Sequence, residues 1–106
     1  MDILEKKNFY NSLFDCYGEL LTEKQKQYFE NYYFDDLSLA EIASLHQVSR
    51  NAVFDQLNKI YVALEQYEEK LGLLNKQSKL NSIFEEYIDS NNSEVIELIE
   101  KIKNVE

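Results

Sequence analysis

The stretch LAEIASLHQVSRNAV, residues 39–53, decides the fold of this 106-residue chain. Ser38 precedes it and is followed three residues later by Glu41, which is the capping-box pattern that begins a helix. Ser49 is a good N-cap for a further helix that begins at Arg50, and only a two-residue break separates the two helices. Two short helical segments joined by a tight turn predict a helix-turn-helix motif.

Apolar residues at helical spacing extend this interpretation over the rest of the chain. With Pro 0 and Gly 2, the composition lacks the turn residues that a sheet-rich domain needs. The sequence therefore predicts an all-α protein of about six helices. We expect a helix-turn-helix domain over residues 1–75, with the motif at about 38–60, and a C-terminal helical segment over 76–106. The predicted helices span about residues 3–20, 23–34, 39–46, 50–71, 76–90 and 94–104, and Gly72 ends the long one.

The long helix carries an apolar seam whose members are spaced alternately by four and three residues. A seam of about three heptads packs either on the helices of its own chain or on a second copy, and both arrangements can hold along different parts of it. Its second half is the predicted surface for forming a homodimer, with Leu64, Tyr67, Leu71 and Leu74 as the self-association residues. The full seam is Val53, Leu57, Ile60, Leu64, Tyr67, Leu71 and Leu74.

Composition excludes several classes of protein. One cysteine, Cys16, forms no internal disulfide, and with the single histidine, His46, it cannot make the usual zinc site. No apolar run reaches the roughly 18 residues of a membrane span, and the N-terminal residues are not those of a signal peptide. We therefore expect a soluble, cytoplasmic protein without cofactor or membrane association. Catalytic motifs are absent, so an enzyme is not expected.

The net charge of −9 is distributed unevenly. Residues 1–37 carry −4 and residues 61–106 carry −5, whereas residues 38–60 are neutral. Nucleic acid favours a basic surface, so the neutral middle is the best candidate for contact with phosphates. The candidate phosphate contacts are Lys24, Lys26, Lys59, Lys76 and Lys79.

The helix-turn-helix stretch resembles that of the fourth region of bacterial sigma factors. Over about residues 8–75 the chain is similar to the YlxM family of small bacterial helix-turn-helix proteins. This resemblance implies nucleic-acid binding and a role in the signal recognition particle pathway, because such proteins are typically encoded beside the GTPase of that particle. This sequence departs from the usual helix-turn-helix pattern at His46, where a large apolar residue is usual, and at Gln47, where Gly or Asn is usual. The matching stretches are LTEKQ (21–25), YYFDDLSLAEIA (32–43), VSRNAVFD (48–55) and YEEKL (67–71).

When the binding positions of the family are transferred to this sequence, the resemblance implies that the second helix of the motif contacts the bases of a nucleic acid. Arginine and asparagine can make bidentate contacts to guanine and adenine edges, whereas Asp55 is unfavourable beside phosphate. DNA is the leading ligand and RNA an alternative. A different interpretation is an acidic adaptor that binds the signal recognition particle GTPase, with the candidate helix face only solvated. The implied nucleic-acid-binding residues are Ser49, Arg50, Asn51, Phe54, Asp55, Asn58 and Lys59.

Overall fold

A computed structural model describes residues 1–105 of the chain, and in this range it contains six α-helices and no strand. The predicted all-α class is thus confirmed. A short 3₁₀ turn, Gly18–Leu20, follows the first helix. The helices are α1 (Ile3–Tyr17), α2 (Glu23–Tyr33), α3 (Leu39–His46), α4 (Arg50–Leu71), α5 (Leu73–Tyr87) and α6 (Ser93–Lys103).

Side-chain caps set where the helices of the motif begin. The Thr22 hydroxyl accepts from the Gln25 amide at 3.1 Å, and the Gln25 side chain accepts in return from the Thr22 amide at 3.0 Å. Ser38 and Glu41 form the same reciprocal pair at the start of α3. Because each pair satisfies two amides that lack a partner within the helix, both predicted capping boxes are confirmed.

Gln47 makes the turn between α3 and α4. It has φ 56° and ψ 45°, the left-handed conformation that usually favours glycine or asparagine. The Gln47 amide donates to the Ser44 carbonyl at 3.3 Å, and the Val48 amide donates to the Ala43 carbonyl at 3.0 Å. This pair of bonds is the Schellman motif, so the turn is tight although the residue is not glycine.

The chain divides into two compact units at Gly72. The first unit, Met1–Gly72, packs α1, α2 and α3 around α4. Burial of its apolar core is the main source of favourable free energy of folding in this unit. The largest fully buried side chains are Tyr17, Phe29, Leu13, Ile42, Ile60, Leu64 and Val53.

Helix α1 runs in the same direction as α4. The Tyr10 hydroxyl donates to the Glu65 carboxylate at 2.8 Å, and the Tyr17 hydroxyl donates to the Glu68 carboxylate at 2.6 Å. Glu65 and Glu68 lie about one helical turn apart on α4, so the two bonds fix how α1 is placed along it. Burial, together with the bond to Glu65, raises the pKa of Tyr10 to about 12.

The second unit begins at Leu73 and contains α5 and α6. The predicted helix start at residue 76 is three residues late, because Gly72, in the left-handed conformation (φ 62°), is the single residue between α4 and α5. Phe84 and Ile99 are the buried residues of this unit. Leu98, next to Ile99 in α6, is 57% exposed.

Candidate nucleic-acid interface

The first turn of α4 lies at the surface with a complete N-cap. The Ser49 hydroxyl accepts from the Ala52 amide at 3.0 Å, and the Ser49 carbonyl accepts from the Val53 amide at 3.2 Å. Ser49, Arg50 and Asn51 are all exposed. Because these bonds use the Ala52 and Val53 amides, the amides of the preceding two residues remain able to meet an anion at a helix N-terminus.

The seven predicted nucleic-acid-binding residues share one surface. Phe54 is 53% exposed and adds an apolar ring to this surface. Successive residues of an α-helix are about 100° apart, so residues 51, 54, 55 and 58 form one stripe with residues 50 and 59 at its edges. The exposed set is Ser49, Arg50, Asn51, Phe54, Asp55, Asn58 and Lys59.

The opposite face of α4 is buried in the apolar core. Val53 and Ile60 have no exposed surface, and Leu57 is 3% exposed. Apolar burial therefore holds the helix at a fixed rotation about its axis. The structure brings the predicted residues together on a rigid element, and their contact with nucleic acid stays a prediction.

The cationic side chains near this face differ in whether they form ion pairs with carboxylates of the same chain. Neither Arg50 nor Lys59 forms an ion pair within residues 1–105. Lys26, by contrast, lies 3.3 Å from Glu19 and 3.8 Å from Glu23, so its charge is already compensated. Arg50 and Lys59 are thus better placed than Lys26 to contact phosphate.

His46 connects α3 to α2 behind the motif. Its Nδ1 lies 3.0 Å from the Lys24 ammonium and its Nε2 lies 2.8 Å from Asn31 Oδ1. Because an ammonium group can only donate, Nδ1 must accept, and the ring proton on Nε2 is donated to Asn31. Burial, and then the charge of Lys24, lowers the pKa of His46. His46 therefore has a structural role as a neutral ring that also packs on Tyr28.

Sequence reasoning missed an apolar extension of the candidate interface. A shallow hollow of about 300 Å³ continues from Asn58 and Lys59 to Val62, Ala63 and Gln66. Val62 is 52% exposed. The signal was present in the sequence, because residue 62 lies on the same helical stripe as residues 51, 55 and 58.

The apolar seam of α4 has two different parts. Leu64 is fully buried in this chain, so it belongs to the core and its side chain is not available to a second copy. Tyr67 is half-buried and its ring lies 5.9 Å from that of Tyr17. Leu71 is 56% exposed at the end of α4, whereas Leu74 lies beyond Gly72 in α5. Of the four predicted self-association residues, Leu71 is the one that α4 leaves most exposed.

No group of acidic, histidine and cysteine side chains that could hold a metal ion occurs within residues 1–105. Cys16 is half-buried, and burial raises the pKa of its thiol. Across the same residues, every helix is too short or too polar to span a membrane.

The capped α3, the left-handed turn and the exposed first turn of α4 together define a helix-turn-helix protein. Comparison with known families agrees: residues 4–105 match the model of the family UPF0122, described as "Putative helix-turn-helix protein, YlxM / p13 like". The chain belongs to this family. It is 44% identical to the UPF0122 protein of Listeria welshimeri over 113 aligned positions, which cover 98% of this chain and all of that protein. It is also 45% identical to a UPF0122 protein of Bacillus cereus, over 94% of this chain and 99% of that protein.

Proposed function

We propose that the chain is a regulatory protein that binds DNA through the exposed face of α4. The observation that carries this proposal is the exposed stripe around Asn51 on a helix whose opposite face is buried. An α-helix fits the major groove, where arginine and asparagine side chains can distinguish base pairs. We propose RNA as the alternative nucleic acid, because the same polar groups can bind bases in an unpaired strand.

The affinity of this face for nucleic acid should be modest and only weakly dependent on salt. Arg50 and Lys59 are its only cations, and each phosphate contact contributes about one unit to the slope of log affinity against log salt concentration. We expect a slope of no more than about two, which is well below that of strongly basic DNA-binding proteins.

Substitution of the first turn of α4 tests the proposal. Arg50→Ala and Asn51→Ala should each weaken binding by about 1–3 kcal/mol for a lost base contact. Both side chains are exposed, so the free energy of unfolding should change by no more than about 0.5 kcal/mol. The measurement is fluorescence anisotropy at low salt, with duplexes selected from a random pool and with single-stranded RNA.

The matched controls are Lys70→Ala, at the other end of α4, and Asn8→Ala, on the exposed surface of α1. Both should bind like the unaltered protein. Identical titration curves for Arg50→Ala, Asn51→Ala and the controls would show that α4 does not read bases.

A second function is favoured by the surface of the second unit. Ile83, Tyr87 and Leu98 are each at least 50% exposed, and their neighbours in sequence include Glu85, Glu86 and Glu97. Ile83 and Tyr87 lie one helical turn apart on α5 and form an apolar patch, and such a patch with acidic neighbours complements a basic protein surface. We propose the signal recognition particle GTPase as that partner, following the family resemblance.

This adaptor function has its own test. Ile83→Glu and Tyr87→Glu should each weaken capture of the purified GTPase, because each places a charge in the apolar patch of α5. Ser78→Glu adds the same charge at an exposed polar position of α5 and should leave capture unchanged. Equal capture by all three variants contradicts the proposed surface.

A further inference from the structure

A groove in the first unit lies where the beginning of α1, the end of α2 and the middle of α4 meet. Its volume is about 380 Å³, within the range of roughly 300–1,000 Å³ that is typical of small-molecule sites. Tyr61 lies 11 residues after Arg50 on α4, which is about 16 Å along the helix axis. The groove is therefore separate from the first turn of α4. Its lining residues are Ile3, Lys6, Lys7, Tyr32, Tyr33 and Tyr61.

The aromatic rings of the groove are held firmly from one side. The Tyr61 ring stacks on Tyr10 with 4.2 Å between the centroids, and the Tyr33 ring stacks on Phe29 at the same distance. The hydroxyl of Tyr33 donates to that of Tyr61 at 2.9 Å. This bond leaves the Tyr61 proton available to an acceptor from outside the protein.

Two ammonium groups lie above these rings. Lys6 Nζ is 5.9 Å from the centre of the Tyr61 ring, and Lys7 Nζ is 5.7 Å from the centre of the Tyr33 ring. Neither ammonium forms an ion pair within the part of the chain that the structure describes. In a chain of net charge −9, two adjacent uncompensated cations beside tyrosine rings are suited to a ligand that combines an anion with a planar ring.

We propose that this groove binds a nucleotide, with the phosphate held by Lys6 and Lys7 and the base stacked on the tyrosine rings. The lysine side chains are long and exposed or half-buried, so they can move from the ring faces to a phosphate. A base then takes the ring surface that the ammonium groups leave, as in proteins that bind unpaired bases on aromatic side chains. Both a free nucleotide and one residue of a single strand have this chemistry. The site is independent of the proposed reading of DNA by α4.

Binding to the full chain can be followed by NMR through the amide signals of Tyr32, Tyr33 and Tyr61. The probes are adenosine monophosphate, ribose 5-phosphate, hexaglutamate and a single-stranded hexamer of adenylate. We expect adenosine monophosphate to shift these three signals saturably. Ribose 5-phosphate, which has the phosphate without the base, should bind about tenfold or more weakly because stacking is lost. A hexamer that binds more tightly than the mononucleotide identifies a single strand as the source, and equal affinities identify the free nucleotide.

The variants separate the groove from general charge. Lys6→Ala combined with Lys7→Ala should weaken binding of adenosine monophosphate about tenfold or more, because both phosphate contacts are removed. Lys70→Ala combined with Lys101→Ala removes the same charge at two exposed positions outside the groove and should leave binding unchanged. The proposal is overturned if the three tyrosine signals do not move. It is also overturned if hexaglutamate or ribose 5-phosphate binds as tightly as the nucleotide, or if the two double variants behave alike.

Discussion

Replacing Gln47 by glycine should stabilise the protein, although glycine usually destabilises a folded chain. Gln47 is exposed, and its backbone has φ 56° in the turn between α3 and α4. A side chain in this conformation costs about 1–2 kcal/mol because Cβ approaches the following carbonyl oxygen. Glycine removes that cost, and it adds about 0.4–1 kcal/mol of conformational entropy to the unfolded state. The difference is a gain of about 0.5–1 kcal/mol for Gln47→Gly.

Urea denaturation followed by circular dichroism measures this gain. The midpoint should rise without a change in the m-value, because the surface exposed on unfolding is the same. The matched control is Gln27→Gly, at an exposed position inside α2, where glycine should cost about 0.5–1 kcal/mol. If both variants lower the midpoint equally, the left-handed turn carries no strain and the reasoning is refuted.

Two further predictions concern association and pH. If a homodimer forms through the exposed end of α4, Leu71→Asp should keep the protein monomeric, whereas Leu45→Asp, which adds the same charge at an exposed apolar position of α3, should not. Sedimentation equilibrium measures the difference, and an unaltered protein that is monomeric at tens of micromolar contradicts the dimer. Stability should fall as the pH drops below about 6.5, because the pKa of His46 is lowered in the folded state and the unfolded chain then binds the extra proton. His46→Gln should remove this part of the pH dependence in urea titrations at pH 7.5 and 5.5, and the same slope in both proteins would exclude the histidine as its origin.

The parts of the fold that depend on neighbours in sequence were predictable. Thr22, Ser38 and Ser49 form their capping bonds within three residues, so a short stretch of sequence contains all the information. The end of α4 at Gly72 follows from one residue type for the same reason.

The parts that depend on tertiary packing were not predictable. Lys6 and Tyr61 lie 55 positions apart, and no periodic pattern connects them. Leu64 belongs to the same seam as Leu71, yet one is fully buried and the other is exposed, because periodicity identifies a face but not what covers it. The candidate face of α4 could therefore be named from the sequence, whereas the groove could not.

The parallel placement of α1 on α4 has a consequence for the growing chain. Tyr17 and its partner Glu68 are separated by 51 residues, so during synthesis α1 is complete long before the helix that covers it exists. At about 5–20 residues per second, the ribosome needs roughly 3–10 s to bridge that interval. During this time Leu13 and Tyr17, both fully buried in the finished protein, have only α2 and α3 to shield them. The first unit can therefore complete its fold only after most of α4 has left the exit tunnel. Until then the nascent chain exposes apolar surface to any factor bound near the tunnel exit.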